Sequence, residues 1–335
     1  MEVFALDQMP WKTRDPFLFC VHHLDHFPSA NPDMTPKASL DGRMLGQDFA
    51  GKDGWNMYHG RRVSGFPPHP HRGFETVTVV RRGFVDHSDS LGAAARFGAG
   101  DTQWMTAGKG IVHSEMFPLL DEHAENVNDF FQIWINLPAR NKMVDPHFSM
   151  LWSEDIPRIE TADQEGRTST VVLSAGAVLG NQAPKPPPQS WASDPDGHVR
   201  IYTVALEPGA EFTLPAANDP SVLRTLYFFS GSELSVDGHS LFVKHGVDYS
   251  TPGASVLVNG SVPAEVLVLE GKPIGEPVAH YGPFVMNTRE ELQQAVTDYQ
   301  STQFGGWPWE SDEPVHARAR GRFARHADGR VEEKA

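Results

Sequence analysis

The stretch Phe66-Pro-Pro-His-Pro-His-Arg-Gly-Phe-Glu75 places His69 and His71 two residues apart, and Gly108-Lys-Gly-Ile-Val-His-Ser-Glu115 does the same for His113 and Glu115. In an extended strand, residues i and i+2 share a face and lie about 6.5–7 Å apart along the chain. Each pair can therefore aim two side chains into one space. Two such strands facing each other would bring three imidazoles and one carboxylate around a single point, the donor set of a transition-metal site.

A lone His-x-His is weak evidence, because histidines on a half-buried strand are often plain surface residues. Here Pro67, Pro68 and Pro70 restrict the approach to extended backbone and pre-order the two imidazoles. A second carboxylate, Glu75, follows His71 at four residues. Neutral imidazoles with a carboxylate suit Fe(II), Mn(II), Ni(II), Cu(II) or Zn(II), and with no cysteine nearby a thiolate site is excluded. The competing reading is a purely structural histidine cluster. Four protein ligands on an octahedral ion leave two positions open, which suits oxygen activation or Lewis-acid chemistry, whereas a structural zinc is more often closed by cysteines.

The elements that must position these residues read as strands. Thirty glycines and 27 prolines in 335 residues, with few long helical patterns, favour a turn-rich β protein of about two domains. Phe74–Val80 and Thr102–Thr106 have strand composition, and the nearly all-apolar 130–137 (Phe-Phe-Gln-Ile-Trp-Ile-Asn-Leu) reads as a buried strand ended by Pro138. Polar residues and scattered prolines over 138–157 suggest an inter-domain crossing. From Thr168 a second β-rich segment begins, with strand-like runs at Val199–Leu206, Arg224–Phe229, Ser255–Val258 and Glu265–Leu269. The two halves resemble a loose duplication. The 176–197 stretch holds Pro184-Lys-Pro-Pro-Pro188, read as a polyproline loop, with a ligand for a proline-reading partner as the alternative. One helix is expected after Thr288, where Glu291 completes a capping box and Leu292, Ala295, Val296 and Tyr299 make one apolar stripe. The charged 306–335 tail is expected to be mobile at least from Gly329 onward, with Arg318, Arg320, Arg322 and Arg325 solvated.

Net charge is −15, which argues against a broad basic nucleic-acid surface and against attraction to anionic membrane. The single cysteine, Cys20, permits no intramolecular disulfide and reads as a small apolar residue. Without a start-proximal basic-then-apolar signal or a run of about 18 apolar residues, the expectation is a cytoplasmic protein, or also a nuclear one in a eukaryote. Of the other histidines, His22-His23-Leu-Asp-His26 reads as an early structural strand and turn: adjacent His22 and His23 point to opposite faces and do not readily share one ion. His59 and His87 could lie near the N-terminal barrel without an assigned role, while His239 and His245 have no companion pair.

The segments 69–78, 100–115 and 282–288 resemble the pirin family of the cupin superfamily, and the likeness runs from about residue 15 to 300. It implies an all-β bicupin: two tandem jelly-roll barrels facing each other, with a few short helices and a C-terminal helix. Residues 1–140 would form the metal-binding domain and 141–305 the metal-free one carrying the helix, followed by the tail at 306–335. The family's ligands fall on His69, His71, His113 and Glu115, with iron, Fe(II), the usual metal. General cupins instead often use a glutamate placed like Glu75; on the pirin pattern Glu75 is a neighbour of the site. The 176–197 loop is longer than is usual for the family.

Two functions follow from the resemblance. One is a flavonol dioxygenase of the quercetin 2,3-dioxygenase type, taking a flat aromatic substrate and O2 and releasing carbon monoxide, with Glu115 as the general base and Phe66, Phe74, Trp104 and Met116 near the pocket. The other is an iron-dependent regulator that binds a transcription factor or a metabolic enzyme without turnover. Neither calls for direct nucleic-acid binding or a membrane, and the resemblance implies a monomer.

Overall fold

A computed structural model describes residues 1–250 and 252–334. The chain is mostly strand, with a single α-helix of 14 residues among the described residues. No helix in it is long and apolar enough to cross a membrane. Its contacts divide it into two compact units, one of residues 22–132, 139–153 and 276–335, the other of 1–21, 133–138 and 154–275.

The first unit holds two antiparallel sheets. One has six strands in the order Val331–Lys334, Arg322–Arg325, Ala94–Gly98, Phe84–Asp89, Ile111–Met116, Gly65–His71. The other runs His147–Leu151, Thr102–Thr106, Phe74–Arg82, Asn126–Asn136, Phe17–Phe27, and the chain passes to the second unit within its last two strands. Val80, Val85, Phe97, Met105, Ile111, Phe117, Phe130 and Phe148 belong to one buried apolar cluster. Gly65–His71 is an edge strand, which explains its three prolines: with no N–H to donate, proline is tolerated where one side of the ladder is empty. Its register with Ile111–Met116 slips between Phe66 and His69, and then seats His69 opposite His113.

The second unit has a seven-stranded sheet, in which Arg200–Leu206, Leu223–Ser230 and Ala264–Gly271 are central, and a four-stranded one. Val204, Leu226, Phe228, Leu257, Val266 and Val268 lie in its fully buried core. The protein is therefore a two-domain, cupin-type all-β fold.

The unit boundaries differ from the expected 1–140, 141–305 and 306–335. Glu2–Ala5 pairs with His245–Tyr249, so the N-terminus belongs to the second unit. The helix Arg289–Thr302, capped by Thr288 and Glu291 as expected, belongs to the first unit. Its Leu292 and Ala295 bury against Phe284, Met286 and Val112. The tail is not set apart either. Arg322–Arg325 pairs with Ala94–Gly98 and then with Val331–Lys334, so the segment beyond Gly329 is a strand rather than a free end. Arg322, expected in solvent, is mostly buried and bonds Asp101 at 2.9 Å. A local pattern cannot announce such a partner, because the site that receives the tail lies more than 200 residues earlier.

Candidate metal centre

His69, His71 and His113 present ligand nitrogens that all lie within 4.8 Å of one another. Their ring centroids are 4.5 Å apart for His69 and His113, 4.8 Å for His69 and His71 and 5.0 Å for His71 and His113. His71 and His113 are buried and His69 partly so. The backbone carbonyl of Pro67 accepts a hydrogen bond from Nδ1 of His69 at 2.8 Å. A carbonyl can only accept, so Nδ1 carries the proton and the lone pair sits on Nε2. The stiff Pro-Pro turn thereby sets the tautomer of the first ligand, the task that an outer partner performs for metal-binding histidines.

Burial pushes the His69 imidazole down to about 4 and holds His71 and His113 well below the usual histidine range. All three are therefore neutral donors at pH 7. His113 is 0% exposed and neither of its ring nitrogens has a hydrogen-bond partner. Leaving a buried polar group unpaired costs about 1–3 kcal/mol. An ion at the centre of the three rings would give the lone-pair nitrogen of His113 its partner, so these residues fit a transition metal.

Glu115 lies two residues beyond His113 on the same strand face, buried at 4% exposure. Its carboxylate is not among the atoms that converge with the imidazoles. Instead it accepts hydrogen bonds from Thr78 Oγ1 at 3.0 Å and Gln132 Nε2 at 2.7 Å. Burial raises its pKa above the ordinary carboxyl value, against these bonds and the charge of His87. Glu75 stays apart from the histidines and accepts the Thr106 hydroxyl at 2.6 Å.

His22, His23 and His26 disperse as expected from their alternation. His22 meets Asp129 at 2.9 Å, His26 meets Glu125 at 3.1 Å, and His23 Nδ1 meets the Tyr58 hydroxyl at 2.8 Å. Tyr58 donates onward to Asp25 at 2.6 Å. His87 does reach the site: its ring lies 5.5 Å from that of His113, with Nε2 on Asp89 at 3.1 Å. Phe66 is the hub of an aromatic wall, 6.3 Å from His69, 6.0 Å from His23, 5.2 Å from Tyr58 and 5.6 Å from the exposed His59. Phe74, Trp104 and Met116 are fully buried, as barrel core would be.

Sequence reasoning missed Thr78, Gln132 and the tail. Gln132 left a signal, an amide set between Phe131 and Ile133 in a nearly all-apolar run. The tail left none. Glu313 accepts the backbone N–H groups of Arg61, Arg62 and Val63 at 2.6, 2.9 and 3.0 Å, and so anchors the segment leading to Phe66.

Residues 10–135 match the family model described as Pirin, and residues 201–305 match the Pirin C-terminal cupin domain. The chain belongs to the pirin family. A pirin-like protein of Caulobacter vibrioides is 38% identical over 270 residues, 81% of this chain and 90% of that one. A Pseudomonas aeruginosa protein, provisionally named a quercetin 2,3-dioxygenase, is 37% identical over 288 residues, 85% of each chain. The crystal structure of a quercetin 2,3-dioxygenase from Acinetobacter baumannii superposes with a TM-score of 0.70 at 25% identity, covering 91% of this pirin and 98% of the other chain. The three convergent histidines of this pirin thus sit in a fold shared with a protein titled as a dioxygenase.

Proposed function

We propose that this pirin is a metal-dependent dioxygenase that opens the central ring of a flavonol-like substrate with O2, releasing carbon monoxide and a depside. The observation that carries the proposal is the fully buried His113, unpaired at both ring nitrogens and facing two further neutral imidazoles. The likeness to the Acinetobacter enzyme adds the reaction class.

His69, His71 and His113 would hold the ion, with Glu115 as the fourth, oxygen donor. A divalent transition metal, Fe(II) foremost and Mn, Ni, Cu or Zn as the alternatives, would supply Lewis-acid and oxygen-activating chemistry there. The chain supplies the rest. Glu115 accepts the proton of the flavonol 3-hydroxyl, and its burial raises its proton affinity toward the pH at which a base is most effective. Each carboxylate oxygen carries more than one lone pair, so the bonds from Thr78 and Gln132 orient the base without consuming it. Phe66 offers its face to the flat substrate, and Tyr58 and Phe117 pack around it so that it holds one orientation.

The test loads the purified protein with Fe(II) or Mn(II), adds quercetin under air and follows loss of flavonol absorbance together with carbon monoxide. Turnover is expected, and both metal content and turnover should disappear in His69→Ala and Glu115→Ala. Full metal content in those variants removes the ligand assignment. No turnover with any first-row metal removes the enzyme reading and leaves metal-dependent binding of a protein partner.

A further inference from the structure

The long 176–197 segment is not a loose proline ligand. A short hairpin joins 177–178 to 181–182, Pro187 is buried, and the Pro187 carbonyl accepts the Ser193 hydroxyl at 2.8 Å. The Trp191 indole donates to the Lys272 carbonyl at 2.9 Å, and Lys272 N–H donates to Gly197 at 2.8 Å. Gly176, at φ +79°, brings the segment so close that a Cβ there would meet the Val199 carbonyl at 2.4 Å and Arg200 Cγ at 2.8 Å. The folded segment walls one side of a pocket of about 200 Å³ in the second unit, lined also by His198, Arg200, Asn218 and Glu270.

The floor of that pocket carries an unspent guanidinium edge. Glu270, 1% exposed, is already served by three donors: Arg224 Nε at 2.9 Å, the Tyr202 hydroxyl at 3.0 Å and Arg200 Nη1 at 3.1 Å. Arg224 spends its remaining nitrogens on the carbonyls of Gly253 and Pro215. The Arg200 side chain is only 9% exposed, yet the bond from Nη1 to Glu270 is the one hydrogen bond its side chain makes among the described residues. Nε and Nη2 form the opposite, parallel-donor edge of the fork, and that edge matches a carboxylate in two bonds. Two guanidiniums, Arg200 and Arg224, share the Glu270 carboxylate, so the Arg200 charge is only partly met by it. Asp194 also lines the pocket, and its carboxylate accepts the Asp196 N–H at 2.9 Å. Next to Arg200 in the lining, His198 closes the short turn Pro195–Gly197 with a left-handed backbone at φ +46°. We infer that this pocket binds a small carboxylate, such as a short hydroxy acid, on the free edge of Arg200, at a site separate from the histidine centre and roofed by the 176–197 segment.

The volume equals about seven water molecules, which suits a three- or four-carbon acid and excludes a nucleotide or a flavonol. The test is calorimetric titration of the full chain with L-lactate, its neutral amide and inorganic phosphate. L-lactate should bind with a dissociation constant of about a millimolar, as such a small ligand can reach, the amide not measurably and phosphate more weakly. Arg200→Gln should weaken lactate at least about tenfold. Ala192→Phe, which fills the pocket while leaving Arg200 in place, should do the same without changing metal content at the histidines. No lactate binding to the wild-type chain, equal binding of the amide, tighter binding of phosphate, or unaltered affinity in a folded Ala192→Phe each overturns the inference. Failure here leaves the dioxygenase reading untouched, since the two sites are assayed separately.

Discussion

Replacing Arg96 with methionine should unfold the metal-bearing unit far more readily than a surface change would. Arg96 is fully buried, and its Nε and Nη2 both bond the Asp86 carboxylate at 2.7 Å. Nη2 also reaches the His316 carbonyl at 2.8 Å, and Nη1 reaches Ala317 at 3.0 Å and Arg320 at 2.9 Å. Methionine keeps the volume and removes every donor. Asp86 is then a carboxylate at 0% exposure, with the His316 N–H as its remaining donor among the described residues. Breaking one side of a buried pair costs about 3–5 kcal/mol. Because tail carbonyls lose their donors at the same time, the expected loss is about 4 kcal/mol. For a unit of this size that corresponds to a melting temperature lower by roughly 10 °C. Urea unfolding followed by tryptophan fluorescence measures the loss, and limited trypsin digestion reads whether the tail has detached at Arg318 or Arg320. The double variant Asp86→Leu, Arg96→Met removes the stranded charge and should recover about 2 kcal/mol of the loss. A loss below about 1 kcal/mol for the single variant, or a double variant no better than the single, would refute the claim that this pair fastens the tail.

Three other outcomes are expected. Burial pushes the Asp25 carboxyl up to about 6, against the bonds from Tyr58 and Asn56. The native state therefore binds this proton more tightly than the unfolded chain does; the stability it contributes is present below pH about 4 and lost as pH rises through about 6, up to roughly 3 kcal/mol. Asp25→Asn should flatten that slope in urea titrations at pH 4 and 7, and an unchanged slope refutes the assignment. Gly65 has φ +132° and would place a Cβ 2.4 Å from the Glu115 carbonyl. Gly65→Ala should cost about 1–3 kcal/mol or more and lower the metal content of protein purified without added ions. Phe66→Ala should raise KM for quercetin about tenfold with metal content intact, the amount that loss of one aromatic face removes; an unaltered KM takes Phe66 out of the substrate pocket.

The histidine centre was legible because its geometry is local. Period-two spacing in 69–71 and 113–115 together with proline stiffening already dictates which side chains share a face, and pairing of two ribbons is the one further step needed. The helix was legible for the same reason, since the capping box and the apolar stripe lie within a few residues of each other. The domain boundaries were not legible. The terminal strand Glu2–Ala5 and the tail strand Arg322–Arg325 each satisfy their backbone groups on partners more than 200 residues away, and no residue near either end encodes that partner.

On its own, then, the sequence determined the family, the all-β architecture and the three imidazoles, because these depend on residue type and on spacing along one strand. Tertiary structure alone decided that Glu115 is held by Thr78 and Gln132, that the tail completes the first unit, and that the proline-rich segment roofs Arg200. Each of these rests on a hydrogen bond or packing contact between distant parts of the chain, and such a contact is chosen by the whole fold competing for the same buried donors, acceptors and apolar surface.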